Sequence, residues 1–302
     1  MRLYIQFVEY QNRKILFLIN PFSDQHNSLR KWNRLANKYS FLQKISWLRR
    51  PKKINLKNLL EKYQPDFLGI AGGDGTANFI VRSIYQLPLN QQPTICPVPL
   101  GFGNALAYNL HIDNPDQAIQ LLLNGNQTIK TDLLNLDIPG TPICLFNMSL
   151  GFDAKIVHYT QKNRYIGLKS YVISAIRSVF DFVPRTLKLT LNNSVQIESE
   201  TESLAITNMP YIGQNFQITP HSTIDNGLID CVFFPTKYAY FTNLRFKGFT
   251  HPLYRKTGKV YFSAKTITVK RARYIQVDGD PITYRKPFTI TVSPRCLKCL
   301  TN

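Results

Sequence analysis

Apolar positions along this chain follow two rhythms, and the change between them falls near residue 131. Before that point, short continuous apolar runs alternate with stretches of helical period. KILFLIN (14–20), FLQKISWL (41–48), FLGIA (67–71) and TICPVPL (94–100) read as strands, most of them apolar on both faces as in a parallel sheet. Between them, SLRKWNRLANKY (28–39) carries a stripe of Leu29, Trp32 and Leu35, and NLKNLLEKY stops before Pro65. TANFIVRSIYQL places Phe79, Ile80, Ile84 and Leu87 on one face behind Thr76 as its N-cap. A short helix follows in NALAYNL. DNPDQAIQLLLNG then has Asn114 as cap, Pro115 at the first helical position and Gly125 as stop. This alternation predicts an α/β unit, a doubly wound parallel sheet with helices on both faces.

After residue 131 the runs become short, β-rich and separated by turns. DLLNLDI, PICLFNMSLG, RTLKLTLN, SVQIESE, SLAITNM, LIDCVFF, KVYFSA, TITVK, YIQVDGD and FTITVS predict an antiparallel β-rich sandwich. Helical inserts are expected near 167–180 and 235–247. The chain thus divides into a nucleotide-binding type of domain at 1–131 and a β-sandwich domain at 132–302, whose last strand can return to the first. No repeat or low-complexity linker interrupts it.

Composition removes several function classes. At 302 residues, with 44% hydrophobic and 12% aromatic positions, the chain can bury full-sized cores and is no disordered tail. Five scattered cysteines argue against a disulfide framework and for a reducing, cytoplasmic setting. The terminal CLKC lacks the second pair that a zinc ribbon needs. The amino terminus does not read as a secretory leader, and no 18-residue apolar stretch could span a bilayer.

Charge adds a partner. The net charge is +19, concentrated in two blocks. Residues 30–62 hold eleven Lys and Arg against the single acid Glu61, and residues 237–273 hold ten with no acid. Such blocks suit an anionic surface: a membrane, a nucleic acid or nucleotide phosphates. No RRM, OB or helix-turn-helix signature supports nucleic acid. A peripheral place on an anionic membrane is the expectation.

The candidate chemistry centres on AGGDGTAN (71–78). Gly72, Gly73 and Gly75 let backbone amides approach an anion, and the helix behind them points its positive end the same way. An acid in such a loop would repel phosphate unless a divalent cation came with it, so Asp74 is expected to hold Mg²⁺. PLGFGN (99–104) ends the neighbouring predicted strand, and two glycine loops there can build one cleft facing the second domain. GxxxxGK[ST] is absent, and Gly101–Gly103 lacks the third glycine of GxGxxG.

GGDGTAN followed by PLGFGNALA resembles the diacylglycerol kinase catalytic-domain family, which includes soluble bacterial lipid kinases and sphingosine kinases. LINP (18–21), FNMSLGFDAKI (146–156), LKSYVISAIRSV, ITNMPYIG with IDNGLIDCVFF, and IQVDGDP resemble further family segments in the family's order. The resemblance implies a kinase that moves the γ-phosphate of ATP to a lipid hydroxyl with Mg²⁺. It implies that Asn20 lies near the nucleotide, that Gly73, Asp74, Gly75 and Thr76 hold phosphates and metal, and that Gly101, Gly103 and Asn104 form the other wall. Asp280 would be the general base with Asp278 supporting it, and Asp225 to Asp230 would match a structural-metal loop. Five positions depart from the family pattern: Phe79 and Asp280 replace Glu, Phe102 replaces Thr, and Ala105 and Asn226 replace Asp. A small-molecule kinase of the NAD kinase type and a non-catalytic lipid- or nucleotide-binding relative are the alternative readings.

Overall fold

The computed structural model describes residues 1–42, 52–161, 168–181, 183, 185–201, 203–213, 216–236, 239, 245–246, 249–250 and 258–302. The chain forms two compact units. Unit 1 comprises Met1–Thr131, 213–215 and Arg295–Asn302, and unit 2 comprises Asp132–Ile212 and Phe216–Pro294.

Unit 1 opens with β1 (Arg2–Tyr10), β2 (Arg13–Ile19), α1 (Asn27–Lys38) and β3 (Lys52–Lys53). Next come α2 (Leu56–Tyr63), β4 (Phe67–Gly72), α3 (Asp74–Tyr85), β5 (Thr94–Pro99), α4 (Ala105–Asn109) and α5 (Pro115–Asn124). Its strands run in the order β3-β1-β2-β4-β5. β2, β4 and β5 are parallel, with Ile70 level with Leu18 and Pro97. Burial runs unbroken over Ile15–Ile19, Leu68–Gly72 and Thr94–Val98, which explains why these stretches do not alternate apolar with polar. The helices seal them through contacts such as Trp32 of α1, fully buried and edge-on to Phe17 at 5.3 Å.

The sheet is mixed rather than parallel throughout. β1 runs antiparallel to β2 across a Gln11–Asn12 turn, and β3 runs antiparallel to β1. A hairpin needs only a two-residue connection, whereas a parallel neighbour needs a crossover. The strand expected at 41–48 falls mostly outside the described residues. Asn114 and Asn55 cap their helices as side-chain acceptors, from Gln117 N–H and Asn58 N–H respectively. Thr76 does not cap α3. Gly73 is the N-cap and Thr76 lies inside the first turn, because the helix begins at the acid.

β6 (Thr128–Leu136) carries the chain from unit 1 into unit 2. There follow β7 (Ile143–Cys144), β8 (Asn147–Gly151), α6 (Phe152–Gln161), α7 (Leu168–Asp181), β9 (Arg185–Leu191), β10 (Val195–Thr201) and β11 (Ser203–Thr207). Two minimal hairpins, β12 (Tyr211–Ile212) with β13 (Phe216–Gln217) and β15 (Arg245–Phe246) with β16 (Phe249–Thr250), flank β14 (Ile229–Phe234). The unit continues through β17 (Val260–Ala264), β18 (Thr266–Arg271), β19 (Ile275–Val277) and β20 (Asp280–Ile282) to β21 (Phe288–Leu300). The insert expected as helix near 235–247 lies largely outside the described residues, and Arg245–Phe246 is strand.

Six strands in the order β17-β14-β11-β8-β19-β20 form one antiparallel sheet. The run β10-β9-β18-β21 forms the opposing layer. Leu150, Ile206, Ile229 and Val277 from the first sheet share one core with Leu189, Ile267, Val269 and Phe288 from the second, which is the packing of a sandwich. The six-stranded sheet is covered on its other face too. Phe152 and Ile156 of α6 and Ala175 of α7 pack on Ala205, Val232 and Phe234. That double cover explains why β11 and β14 are buried along their whole length. Among the described residues, no helix is long and apolar enough to cross a membrane.

Candidate active site

In unit 1, β4 and β5 end side by side, and their two glycine loops press together. Leu100 N–H and Gly101 N–H both donate to the Gly72 carbonyl, at 3.1 and 3.0 Å. The backbones lie so close that a Cβ on Gly101 would fall 2.2 Å from the Gly73 Cα, and one on Gly103 would fall 2.1 Å from Asp74 Oδ2. Asn104, in the left-handed region at φ 53°, closes the second loop. Its Oδ1 accepts Gly101 N–H at 2.9 Å and its Nδ2 donates to the Gly101 carbonyl at 2.8 Å.

Asp74 begins α3, where a carboxylate complements the helix dipole. Its Oδ1 accepts the N–H of Ala105, the first residue of α4, at 2.5 Å. An acid inside a glycine loop therefore has a structural duty: it ties the start of α3 to the start of the short α4. Ala105 serves that contact through its backbone, so the missing aspartate side chain at this position leaves it intact. Gly75 differs from the other glycines. It is exposed, and nothing lies within 4 Å of where its Cβ would stand. An open space at the N-terminus of a twelve-residue helix, beside a carboxylate, suits a phosphate with a shared cation. One carboxylate fits Mg²⁺, which takes few protein ligands and keeps water and phosphate oxygens as the rest.

Asn20, at the end of β2, joins this group. Its Nδ2 donates to Thr76 Oγ1 at 2.8 Å, and its Oδ1 accepts Phe22 N–H at 3.0 Å. Ser23 reaches Thr76 Oγ1 at 3.3 Å, and Ser28 Oγ donates to the Asn20 carbonyl at 2.7 Å. Lys31 supplies positive charge: its Nζ pairs with Asp24 at 2.9 Å and lies 3.5 Å from the Leu100 carbonyl. The structure thus gathers Asn20, Gly72, Gly73, Asp74, Gly75, Thr76, Gly101, Gly103 and Asn104 at one end of the unit 1 sheet. Sequence reasoning missed Ser23, Ser28 and Lys31. The polar turn after LINP, with Ser23, Asp24 and Ser28, is the signal that could have found the two serines.

The remaining predicted residues lie in unit 2. Asp278 and Gly279 are the two corner residues of the β19–β20 hairpin, with φ of 52° and 82°, and Val277 pairs with Asp280 across it. Such paired positive φ values belong to the tight hairpin turn that Asp-Gly favours. The Asp278 carboxylate accepts N–H groups from Leu145, Phe146 and Asn147 at 2.9, 2.7 and 3.2 Å. It therefore anchors the β7–β8 connection. Asp280, one residue past the corner, is exposed.

Asp230 accepts from Ser263 Oγ at 2.5 Å through Oδ1 and from Asn226 Nδ2 at 3.2 Å through Oδ2. Asp225 is half-buried in the same loop. The fully buried Asp132 stitches this loop by accepting Gly227 N–H at 2.6 Å. Among the described residues, no three His, Cys, Asp or Glu side chains converge as a ligand set. Asn226 stands where an acid is usual in this loop, and both Asp230 oxygens accept hydrogen bonds from neighbouring side chains.

Comparison with known proteins matches residues 14–136 to the diacylglycerol kinase catalytic domain and 147–301 to the YegS C-terminal NAD kinase beta sandwich-like domain. A Stenotrophomonas maltophilia protein named "Probable lipid kinase YegS-like" is 24% identical over 230 residues, 73% of this chain and 74% of that one. Human diacylglycerol kinase iota is 30% identical over 146 residues, which is 38% of this chain and 14% of that much longer one. A crystal structure of a diacylglycerol kinase from Bacillus anthracis strain Sterne shares the fold, with a TM-score of 0.66 at 16% identity and 98% coverage of both chains. A second structure from the same strain gives 0.70 at 19% identity, again over 98% of each chain.

Proposed function

The chain belongs to the diacylglycerol kinase catalytic-domain family that carries a YegS-type C-terminal domain, and from that premise we propose that it transfers the γ-phosphate of ATP to a lipid hydroxyl. The observation that carries this reading is the pair of interlocked glycine loops with Asp74 set between them and open space over Gly75. In this reading the first turn of α3 orients the nucleotide phosphates, and Asp74 holds the cation that accompanies them. Mg²⁺ would supply neutralisation of the charge on the phosphate oxygens. Asn20 fixes Thr76, so the hydroxyl facing the loop is held rather than free to rotate. Asp280 accepts the proton of the lipid hydroxyl as its oxygen bonds to the γ-phosphorus. The bond to the bridging oxygen breaks, and ADP leaves with that electron pair. Asp278 supports Asp280 through the backbone, by fixing the hairpin corner.

The two basic blocks are read as the membrane-facing charge of a peripheral enzyme. The test is a panel of diacylglycerol, sphingoid base, ceramide, phosphatidylglycerol and NAD with labelled ATP and Mg²⁺, products identified by mass spectrometry. A labelled lipid phosphate, lost in Asp74→Asn, is the expected result. Asparagine can still accept the Ala105 N–H, so that variant should keep its circular dichroism. Labelled NAD alone would move the chain to the small-molecule kinases. No product from any acceptor would make it a binding protein.

A further inference from the structure

Unit 2 contains a cleft of about 640 Å³. Its walls come from the β8–α6 junction, the start of β9, the link between β18 and β19, and the segment after β20. The volume falls within the range of about 300–1,000 Å³ usual for small-molecule sites. Leu150, Leu187, Ile275 and Ile282 give it an apolar interior, while Arg271, Arg273 and Arg285 bring three guanidinium groups and no Asp or Glu lines it.

In a chain with 37 basic and 18 acidic residues, three cations together would mean little by themselves. Their setting is what distinguishes them. Lys188, on the neighbouring strand, has an acid partner, Glu198 at 2.8 Å. No described carboxylate pairs with any of the three arginines. The β18–β9 ladder also slips between Val269 and Arg271, which places Arg271 level with Lys188. Like charges placed opposite one another destabilise a sheet, and a bulge is a device for re-aiming a side chain. Aromatic faces hold the cationic side instead of acids. The Arg273 guanidinium lies 5.2 Å from the Tyr274 ring centre, and the His158 ring meets the same tyrosine at 6.3 Å.

We infer that this cleft is a binding site for a phosphate-bearing amphiphile. Arg271, Arg273 and Arg285 take the phosphate through charge-assisted hydrogen bonds, and the acyl chain lies against Leu150, Leu187, Ile275 and Ile282. A free anion would leave the apolar wall wet, and a neutral lipid would leave the guanidiniums without a partner. A lipid phosphate supplies both chemistries, and its doubly charged head suits three guanidiniums better than a single carboxylate does. The inference does not rest on the kinase reading, because it uses none of the residues assigned to nucleotide, cation or proton transfer.

The test is calorimetric titration of the full chain, without nucleotide, using dihexanoyl phosphatidic acid below its micellar range. Dihexanoylglycerol and inorganic phosphate are the comparison ligands. Binding of the phosphatidic acid is expected, with each comparison ligand at least about tenfold weaker. The triple variant R271Q/R273Q/R285Q should lose at least about tenfold in affinity for phosphatidic acid, and thermal melting should show it folded because all three residues are exposed. Raising salt should weaken the wild-type binding. Undiminished binding by the triple variant, or no binding by wild type, overturns the site. Equal binding of dihexanoylglycerol removes the phosphate from its ligand, and equal binding of inorganic phosphate removes the chain. Loss of lipid phosphorylation elsewhere would leave these binding results unchanged.

Discussion

Glycines that look alike in AGGDGTAN and PLGFGN serve opposite purposes. Gly103 must lack a side chain because Asp74 Oδ2 occupies the place, whereas Gly75 faces open space. Gly103→Ala should therefore destabilise unit 1, by about 1–3 kcal/mol for a forced overlap. Gly75→Ala should leave the urea midpoint nearly unchanged and raise the Kd for ATP. Equal effects of the two substitutions on stability would contradict this division. The two late aspartates divide in the same way. Asp278→Ala orphans three backbone N–H groups and should cost at least about 2 kcal/mol of stability. Asp280→Ala should keep the melting temperature, keep ATP affinity and lower kcat by about 10²–10⁴-fold. A full-rate Asp280→Ala enzyme would remove the base from this residue. The glycine motif and both acids were legible in the sequence. Which of them would pack and which would face open space was not, because the Cβ clash at Gly103 depends on Asp74, 29 positions away.

Element by element, the legible features were those with local causes. Asn114, Pro115 and Gly125 bound α5 as their chemistry requires, and the buried stretches of β2, β4 and β5 announce themselves as short apolar runs. β1 was not read as a strand. Arg2, Gln6 and Glu9 interrupt its apolar positions, and its turn uses Gln11 and Asn12 at φ 44° and 64° without the glycine that usually marks such a hairpin. The N-cap of α3 was misplaced by three residues because Thr76, a common capping type, spends its hydroxyl on Asn20 and Ser23. The β19–β20 hairpin carries a prediction of its own. Gly279 holds φ 82°, so Gly279→Ala should cost about 1 kcal/mol and, by deforming the corner that presents Asp280, should lower kcat as well. Denaturation and turnover measured on one preparation check both; a change in neither would show that the corner tolerates a side chain.

For the whole molecule, charge is the property most directly written in the sequence, at +19. Each Lys or Arg near an anionic surface contributes roughly 1 kcal/mol, falling off over a Debye length of about 8 Å at physiological salt. Sedimentation with liposomes should rise with phosphatidylserine content and collapse at high salt. Neutralising Lys52 and Lys53 with Arg49 and Arg50 (the last two outside the described residues), which leaves the arginines of the unit 2 cleft in place, should raise the apparent KM for lipid more than it lowers kcat. Salt-independent binding to neutral vesicles would assign the charge to another polyanion. The two-unit division also shapes how the chain must be made. β21 leaves unit 2 at Pro294 and supplies Arg295–Asn302 to unit 1, where Cys299 lies level with Ile95 of β5 and the Thr301 hydroxyl donates to the Leu110 carbonyl at 3.0 Å. A ribosome delivers every residue of the glycine loops by Asn104, yet the sheet beneath them stays one strand short until Arg295–Asn302 have been made. The nucleotide unit is thus finished last although it is begun first. A stop codon at 295 should leave unit 2 nearly whole and strip unit 1 of its melting transition and of ATP binding, a defect in the first unit caused by residues that follow the second.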